Sequence, residues 1–177
     1  MRVVAGEFKG HRLRAPRGMR TRPTTDRVRE ALFAMLGDVS GARVLDLYAG
    51  TGALGIEALS RGAASAVFVE RNPRAAATIV ANLRSLGLDD RVRRVDALRF
   101  LARAEGTFHL VFCDPPYDSV ARIAGPLSER LPALLAEGAR IVTESDKRMP
   151  LELPFPLLVE RTYGDTRIAI HSSPDVA

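Results

Sequence analysis

The segment Gly50-Thr51-Gly52-Ala53-Leu54-Gly55 lies between an apolar run, Arg43–Leu47, and a helical pattern. A G-x-G-x-x-G turn from strand to helix needs a parallel strand beside it and a crossover helix behind it, so it commits the chain to an α/β sheet. The rest of the chain agrees. Short apolar runs at Arg43–Leu47, Ala66–Glu70, Val92–Val95, Leu110–Cys113 and Arg140–Thr143 alternate with helical patterns at Leu54–Ser60, from Pro73 to Gly87, near Leu98–Arg103 and within 119–136. Strand-helix alternation predicts parallel strands with helices on both faces. Two last runs, Leu157–Tyr163 and Arg167–His171, are joined by Gly164-Asp165, a turn too tight for anything but an antiparallel pair. The expected fold is a Rossmann-like, mostly parallel seven-stranded sheet with an antiparallel C-terminal hairpin.

Residues 1–37 read as a separate extension packed on a core domain at 38–177, the whole forming one compact domain. Arg2 to Leu13 alternates enough for a small hairpin, with Gly6 and Gly10 as turn residues, and residues 15–23 read as loop. Thr24-Thr25-Asp26 offers N-caps for a helix whose apolar stripe is Val28, Leu32, Met35 and Leu36, and Gly37 stops it. This extension carries the charge. Residues 1–30 hold nine Lys/Arg against three acids, a surplus of +6, while the other 147 residues sum to −1. Segregation of this kind is the footprint expected for a polyanion partner, and Arg2, Lys9, Arg12, Arg14, Arg20, Arg22 and Thr24 are the candidate nucleic-acid contacts. For Arg22 and Thr24 a second role, covering the cofactor, stands beside the first.

Bulk properties exclude several classes. No apolar run approaches the ~18 residues of a membrane span, and the N-terminus has no signal-peptide core. One cysteine, Cys113, allows neither an internal disulfide nor a cysteine zinc cluster, and the three histidines are far apart in sequence. A cytoplasmic, metal-free monomer is expected.

The glycine loop with Glu70, twenty residues past Gly50, also fits a dinucleotide-binding fingerprint. Asp46 argues otherwise. A carboxylate at the end of the strand would repel a pyrophosphate, and it suits a cationic ligand. S-adenosylmethionine, with its sulfonium and α-ammonium groups, is such a ligand. Glu70 then accepts from ribose hydroxyls, and Asp96 with the Ala97 backbone receives the adenine amino group. Tyr48, Gly50, Gly52 and Arg71 complete the candidate cofactor set. Carboxylates at successive strand ends make a crevice at the carboxyl edge of the sheet.

Asp114-Pro115-Pro116-Tyr117 follows the run Leu110–Cys113 and lies on the same edge. The prolines have no N–H to turn toward a pocket. What remains is a pair of acceptors, the Asp114 carboxylate and the Pro115 carbonyl, matched to an amino group with two N–H bonds. Tyr117 can stack on a ring face. Two acceptors can pyramidalise an exocyclic base nitrogen and free its lone pair for attack on a sulfonium methyl, so that catalysis is mostly positioning and preorganisation. Cys113 reads as strand core.

These residues resemble the class I S-adenosylmethionine-dependent methyltransferases. The blocks Arg2–Gly10, Arg22-Pro23-Thr24, Arg27–Phe33 and Arg161–Thr166 are similar to those of the RsmD-type 16S rRNA guanine-N2 methyltransferases. The resemblance reaches about His171 and is weak across 119–156. It implies methylation of one guanine N2 in 16S rRNA, on a small ribosomal subunit or an assembly intermediate. A basic extension without a separate recognition domain agrees, since phosphate contacts position without reading sequence, and the target base must leave its stack. Rival readings are an adenine-N6 or protein-glutamine methyltransferase with the same tetrad logic, a non-catalytic RNA-binding assembly module, and an NAD-dependent oxidoreductase, against which Asp46 argues.

Overall fold

The structure, a computed structural model, describes residues 1–16, 25–88, 91–116 and 119–174. Seven strands form one sheet in the order β3-β2-β1-β4-β5-β7-β6. They are β1 (Arg43–Leu47), β2 (Ser65–Val69), β3 (Val92–Arg93), β4 (Phe108–Cys113), β5 (Leu135–Asp146), β6 (Leu157–Tyr163) and β7 (Thr166–Ser172). The first five run parallel, and β7 pairs antiparallel with both β5 and β6. The helices are α1 (Asp26–Leu36), α2 (Ala53–Ser60), α3 (Pro73–Ser85), α4 (Ala97–Leu101) and α5 (Val120–Arg130). No helix among the described residues is long and apolar enough to cross a membrane.

Local chemistry sets the helix ends. Thr25 accepts from the Val28 amide at the start of α1, and Gly37, with φ 69°, closes it by donating to the Phe33 carbonyl. Asn72 caps α3 ahead of Pro73. The central strand β1 is buried from Val44 to Leu47, as expected of a strand covered on both faces. One face packs Val44, Phe68, Leu110, Phe112 and Val142 against α1, α2 and α3. The other packs Leu45, Leu47, Val111 and Ile141 against α4 and α5.

Three expectations change. Strand β5 runs from Leu135 to Asp146, well beyond Arg140–Thr143, because Leu135 pairs with Phe108 of β4 at one end and Glu144 to Asp146 go on pairing with β7 at the other. The N-terminal hairpin is reduced to one antiparallel bridge, Arg2 with Arg12. It also continues the core, since Val3 and Leu13 are buried in the same cluster as Leu32 and Phe33. Finally, Arg29, counted in the basic surplus, is fully buried and pairs with Asp26 (2.9 Å) and Glu57 (3.5 Å).

Candidate active site

The glycine loop is built by close approach. Gly50 and Gly52 have φ of 56° and 77°, a region that favours glycine. A Cβ at Gly55 would stand 2.4 Å from the Phe68 ring and 3.1 Å from Asp46 Oδ2, so the first turn of α2 lies directly on β1 and β2. Tyr48, just past β1, also has a positive φ of 60°, strained for a side chain of its size. It is half-buried. Burial, with Cys113 and Asp96 nearby, pushes its phenol pKa up.

Three expected ligand carboxylates also brace the backbone. Asp46 is not the last residue of its strand. It is buried one position earlier, and Oδ2 accepts from the Gly55 amide at 2.9 Å. Desolvation raises its pKa to about 8, against the lowering effect of that bond, and Glu70 adds to the rise. Glu70 accepts from the Gly50 amide through Oε2 (2.9 Å) and from the Asn72 amide through Oε1 (2.7 Å). It thereby fixes the loop to the end of β2, and each oxygen keeps a second lone pair for a ligand. Asp96 is the N-cap of α4, its Oδ1 accepting from Leu98 and Arg99, with Ala97 buried behind it. Arg71 is exposed beside Glu70. The Gly50 and Gly55 amides thus already donate to carboxylates, which gives the loop little with which to hold a pyrophosphate. A donor-rich ligand with ribose hydroxyls and an ammonium fits the acceptors at this edge.

Asp114 lies one residue past β4. Alternation places it on the face of Phe112, beside Asp46, and the register Cys113 with Thr143 puts Glu144 next to it on β5. Its pKa is raised well above the ordinary value by desolvation, then by Glu144 and Asp46. Among the described residues these acids are not arranged to hold a metal ion. Pro115 is buried and Pro116 exposed. The Pro116 carbonyl accepts from the Ser119 amide (2.9 Å) and hydroxyl (2.6 Å), which turns the chain into α5. Tyr117 lies outside the described residues, as do Arg20, Arg22 and Thr24.

The edge therefore brings together Asp46, Glu70, Asp114 and the unforeseen Glu144 in one electrostatic group, while Asp96 belongs with Tyr48. Of the basic residues, Lys9, Arg12 and Arg14 are exposed, and Arg2 makes a 3.4 Å ion pair with Asp26. Two more functional positions escaped the sequence reading. Glu57, buried on α2, accepts from the Val4 (2.8 Å) and Ala5 (2.9 Å) amides and ties the N-terminal segment down. Asn82, buried on α3, accepts from the Arg14 amide and donates to the Arg14 and Thr51 carbonyls, joining that segment to the glycine loop. The one available signal was a polar residue within an otherwise apolar helical face.

Known proteins are similar to this chain over most of its length. YlbH of Bacillus subtilis, provisionally named an rRNA methyltransferase, is 42% identical over 97% of this chain and 98% of its own length. Ribosomal RNA small subunit methyltransferase D of Escherichia coli K12 is 39% identical over 82% of this chain and 75% of its own. The solved structure of the provisionally named methyltransferase yhhF from Escherichia coli superposes with a TM-score of 0.84 at 34% identity, covering 98% of this chain and 97% of that one. A family model described as Conserved hypothetical protein 95 matches residues 1–172, and the chain belongs to that family, the one shared with YlbH and RsmD.

Proposed function

We propose that this protein transfers a methyl group from S-adenosylmethionine to the exocyclic N2 of one guanine in 16S rRNA, within a small-subunit particle. The observation that carries the reading is the position of Asp114. It stands on the same sheet edge as the glycine loop and next to Asp46, which braces that loop. Base and cofactor would then meet over one strand-end crevice. The relatives' names support an rRNA substrate, and the small-subunit name of the Escherichia coli relative supports 16S.

When bound, the cofactor supplies an electrophilic methyl on a sulfonium. Glu70 would receive the ribose hydroxyls on its remaining lone pairs, and Asp96 with the Ala97 backbone would receive the adenine edge. Tyr48 and Arg71 border the same space. The guanine would enter with its amino group between the Asp114 carboxylate and the Pro115 carbonyl, and Tyr117 would stack on the ring. As the nitrogen forms its bond to the methyl carbon, the carbon–sulfur bond would break with its electron pair leaving on sulfur as a neutral thioether, and the nitrogen, now positively charged, would lose one proton to Asp114 or water. A carboxylate with a raised pKa is a better acceptor for that proton than an ordinary one. Mass-spectrometric mapping of methylated nucleosides in rRNA, from cells with and without the protein, tests the reading. One N2-methylguanine of 16S rRNA should vanish with the protein, and identical maps would refute it.

A further inference from the structure

The −1 charge outside residues 1–30 hides a second basic segment. Residues 71–99 hold seven arginines (71, 74, 84, 91, 93, 94 and 99) against three acids, a surplus of +4. All seven are exposed. Helix α3 itself, Pro73–Ser85, contains no acid, and neither does the stretch 8–16, which carries Lys9, Arg12 and Arg14. The fold presses these two acid-free segments together. Asn82 grips Arg14 through its amide (2.8 Å) and carbonyl (3.1 Å), and His11 Nε2 meets Ser85 Oγ at 3.1 Å. Along the seam runs an open groove of about 770 Å³ lined by Arg14, Ala77, Val80, Ala81, Arg84 and Ser85. Its lining joins small apolar side chains at helical spacing, Ala77, Val80 and Ala81, to two arginines. Arg74, one turn before the groove on α3, is exposed and continues the same helical stripe through Ala77, Ala81 and Arg84.

We propose that this seam is an RNA-binding surface, on which the sugar-phosphate backbone of the substrate rRNA lies between the N-terminal segment and α3. The argument is charge complementarity on a rigid support. Among the described residues Lys9, Arg12, Arg14, Arg74 and Arg84 are exposed on two acid-free segments that pack together, and a polyanion gains from both at once. Arginines read phosphate geometry well, and an apolar lining accepts a ribose or base face. From Pro73 to Arg84 the helix rises about 16 Å, at ~1.5 Å per residue. The surface therefore holds RNA flanking the target base, not the base itself. Binding of this kind sets register without reading sequence.

This inference rests on the rRNA reading, and the test separates the two. Small-subunit particles from cells lacking the protein are titrated with wild type, with Arg14→Ala/Arg74→Ala/Arg84→Ala, and with a charge-matched control, Arg103→Ala/Arg130→Ala/Arg148→Ala. Salt is varied throughout, and cofactor affinity is measured in parallel. The first triple should bind more weakly and flatten the slope of log affinity against log salt by about 2–3, since each phosphate left without its arginine takes roughly 0.7–0.9 from that slope. The control should keep the wild-type slope, and all three should bind cofactor alike. If wild type methylates rRNA while the first triple keeps its affinity and slope, or the control loses as much, the surface is refuted and the enzyme reading stands. If wild type neither binds the particles nor methylates their rRNA, both fall.

Discussion

Replacing Glu57 with glutamine probes the join between the N-terminal segment and α2, the helix that follows the glycine loop. The carboxylate is fully buried and meets four donors. Oε2 accepts from the Val4 amide (2.8 Å) and pairs with Arg29 Nε (3.5 Å), and Oε1 accepts from the Ala5 amide (2.9 Å) and Arg61 Nε (2.9 Å). Glutamine keeps the shape but turns one oxygen into an NH₂ that faces donors, and it removes the charge opposite the fully buried Arg29. Breaking one side of a buried pair costs roughly 3–5 kcal/mol when the other charge stays behind in low dielectric, and the Asp26 pair that Arg29 keeps (2.9 Å) holds the loss toward the lower end. A domain of this size holds about 5–15 kcal/mol in all. At about 2–4 °C per kcal/mol the midpoint should drop by roughly 6–20 °C. Denaturant melts give the free energy, and hydrogen exchange at the Val4 and Ala5 amides locates it. Adding Arg29→Met should recover part of the loss, since the buried charge that has lost its Glu57 partner is then gone. A Glu57→Gln protein within about 1 kcal/mol of wild type, with both amides still protected, would refute the reasoning.

The site makes three more predictions. Asp114→Ala should abolish methyl transfer and lower cofactor affinity only modestly, and substantial turnover on a preparation that binds cofactor would remove Asp114 from the chemistry. Glu70→Ala should weaken S-adenosylmethionine binding by more than one charge-assisted hydrogen bond, ~1.5–3 kcal/mol, because it also releases the Gly50 and Asn72 amides; unchanged affinity by calorimetry would leave Glu70 a brace only. Asp46 titrates near pH 8 in the fold, against 3.8 for an unperturbed carboxyl. Folding therefore favours its protonated form, so this stabilisation is complete below about pH 4 and is lost as pH rises through about 8. Asp46→Asn keeps an acceptor for Gly55 and removes the proton, so its stability should fall less over that window, by up to about 1.4 kcal/mol per pH unit. Equal pH profiles of stability for the two proteins would contradict the burial argument.

Much of the fold was legible because its signals are local. The Gly50–Gly55 turn, the Asn72-Pro73 cap, the Gly37 stop and the Gly164-Asp165 turn each act over a few residues. A strand buried on both faces has to read as a continuous apolar run, as Val44–Leu47 does apart from Asp46. The strand and helix series, the antiparallel hairpin and the tetrad at a strand end all follow from such patterns. The same locality explains what went wrong. Short-range patterns ended β5 at Thr143, so Glu144 was not placed beside Asp114; only pairing with β7 carries the strand on to Asp146.

Partners distant in sequence were decided by tertiary structure alone. Nothing near Glu57 says that its carboxylate will hold Val4 and Ala5, or that Arg29 is an interior cation. Asp46, Glu70 and Asp96 were read from sequence as ligand acceptors, and the fold also commits them to Gly55, Gly50 with Asn72, and the start of α4. Net charge behaves the same way. A sum along the chain found one basic extension, because acids elsewhere in the body cancelled the arginines of 71–99. Charges act through space, and packing α3 against residues 11–14 makes two separated segments into one surface. Sequence determined the elements and the chemistry at their ends, since caps, turns and strand burial are set by neighbours. The fold decided which side chains share a low-dielectric interior or a common face, because that depends on distance in space.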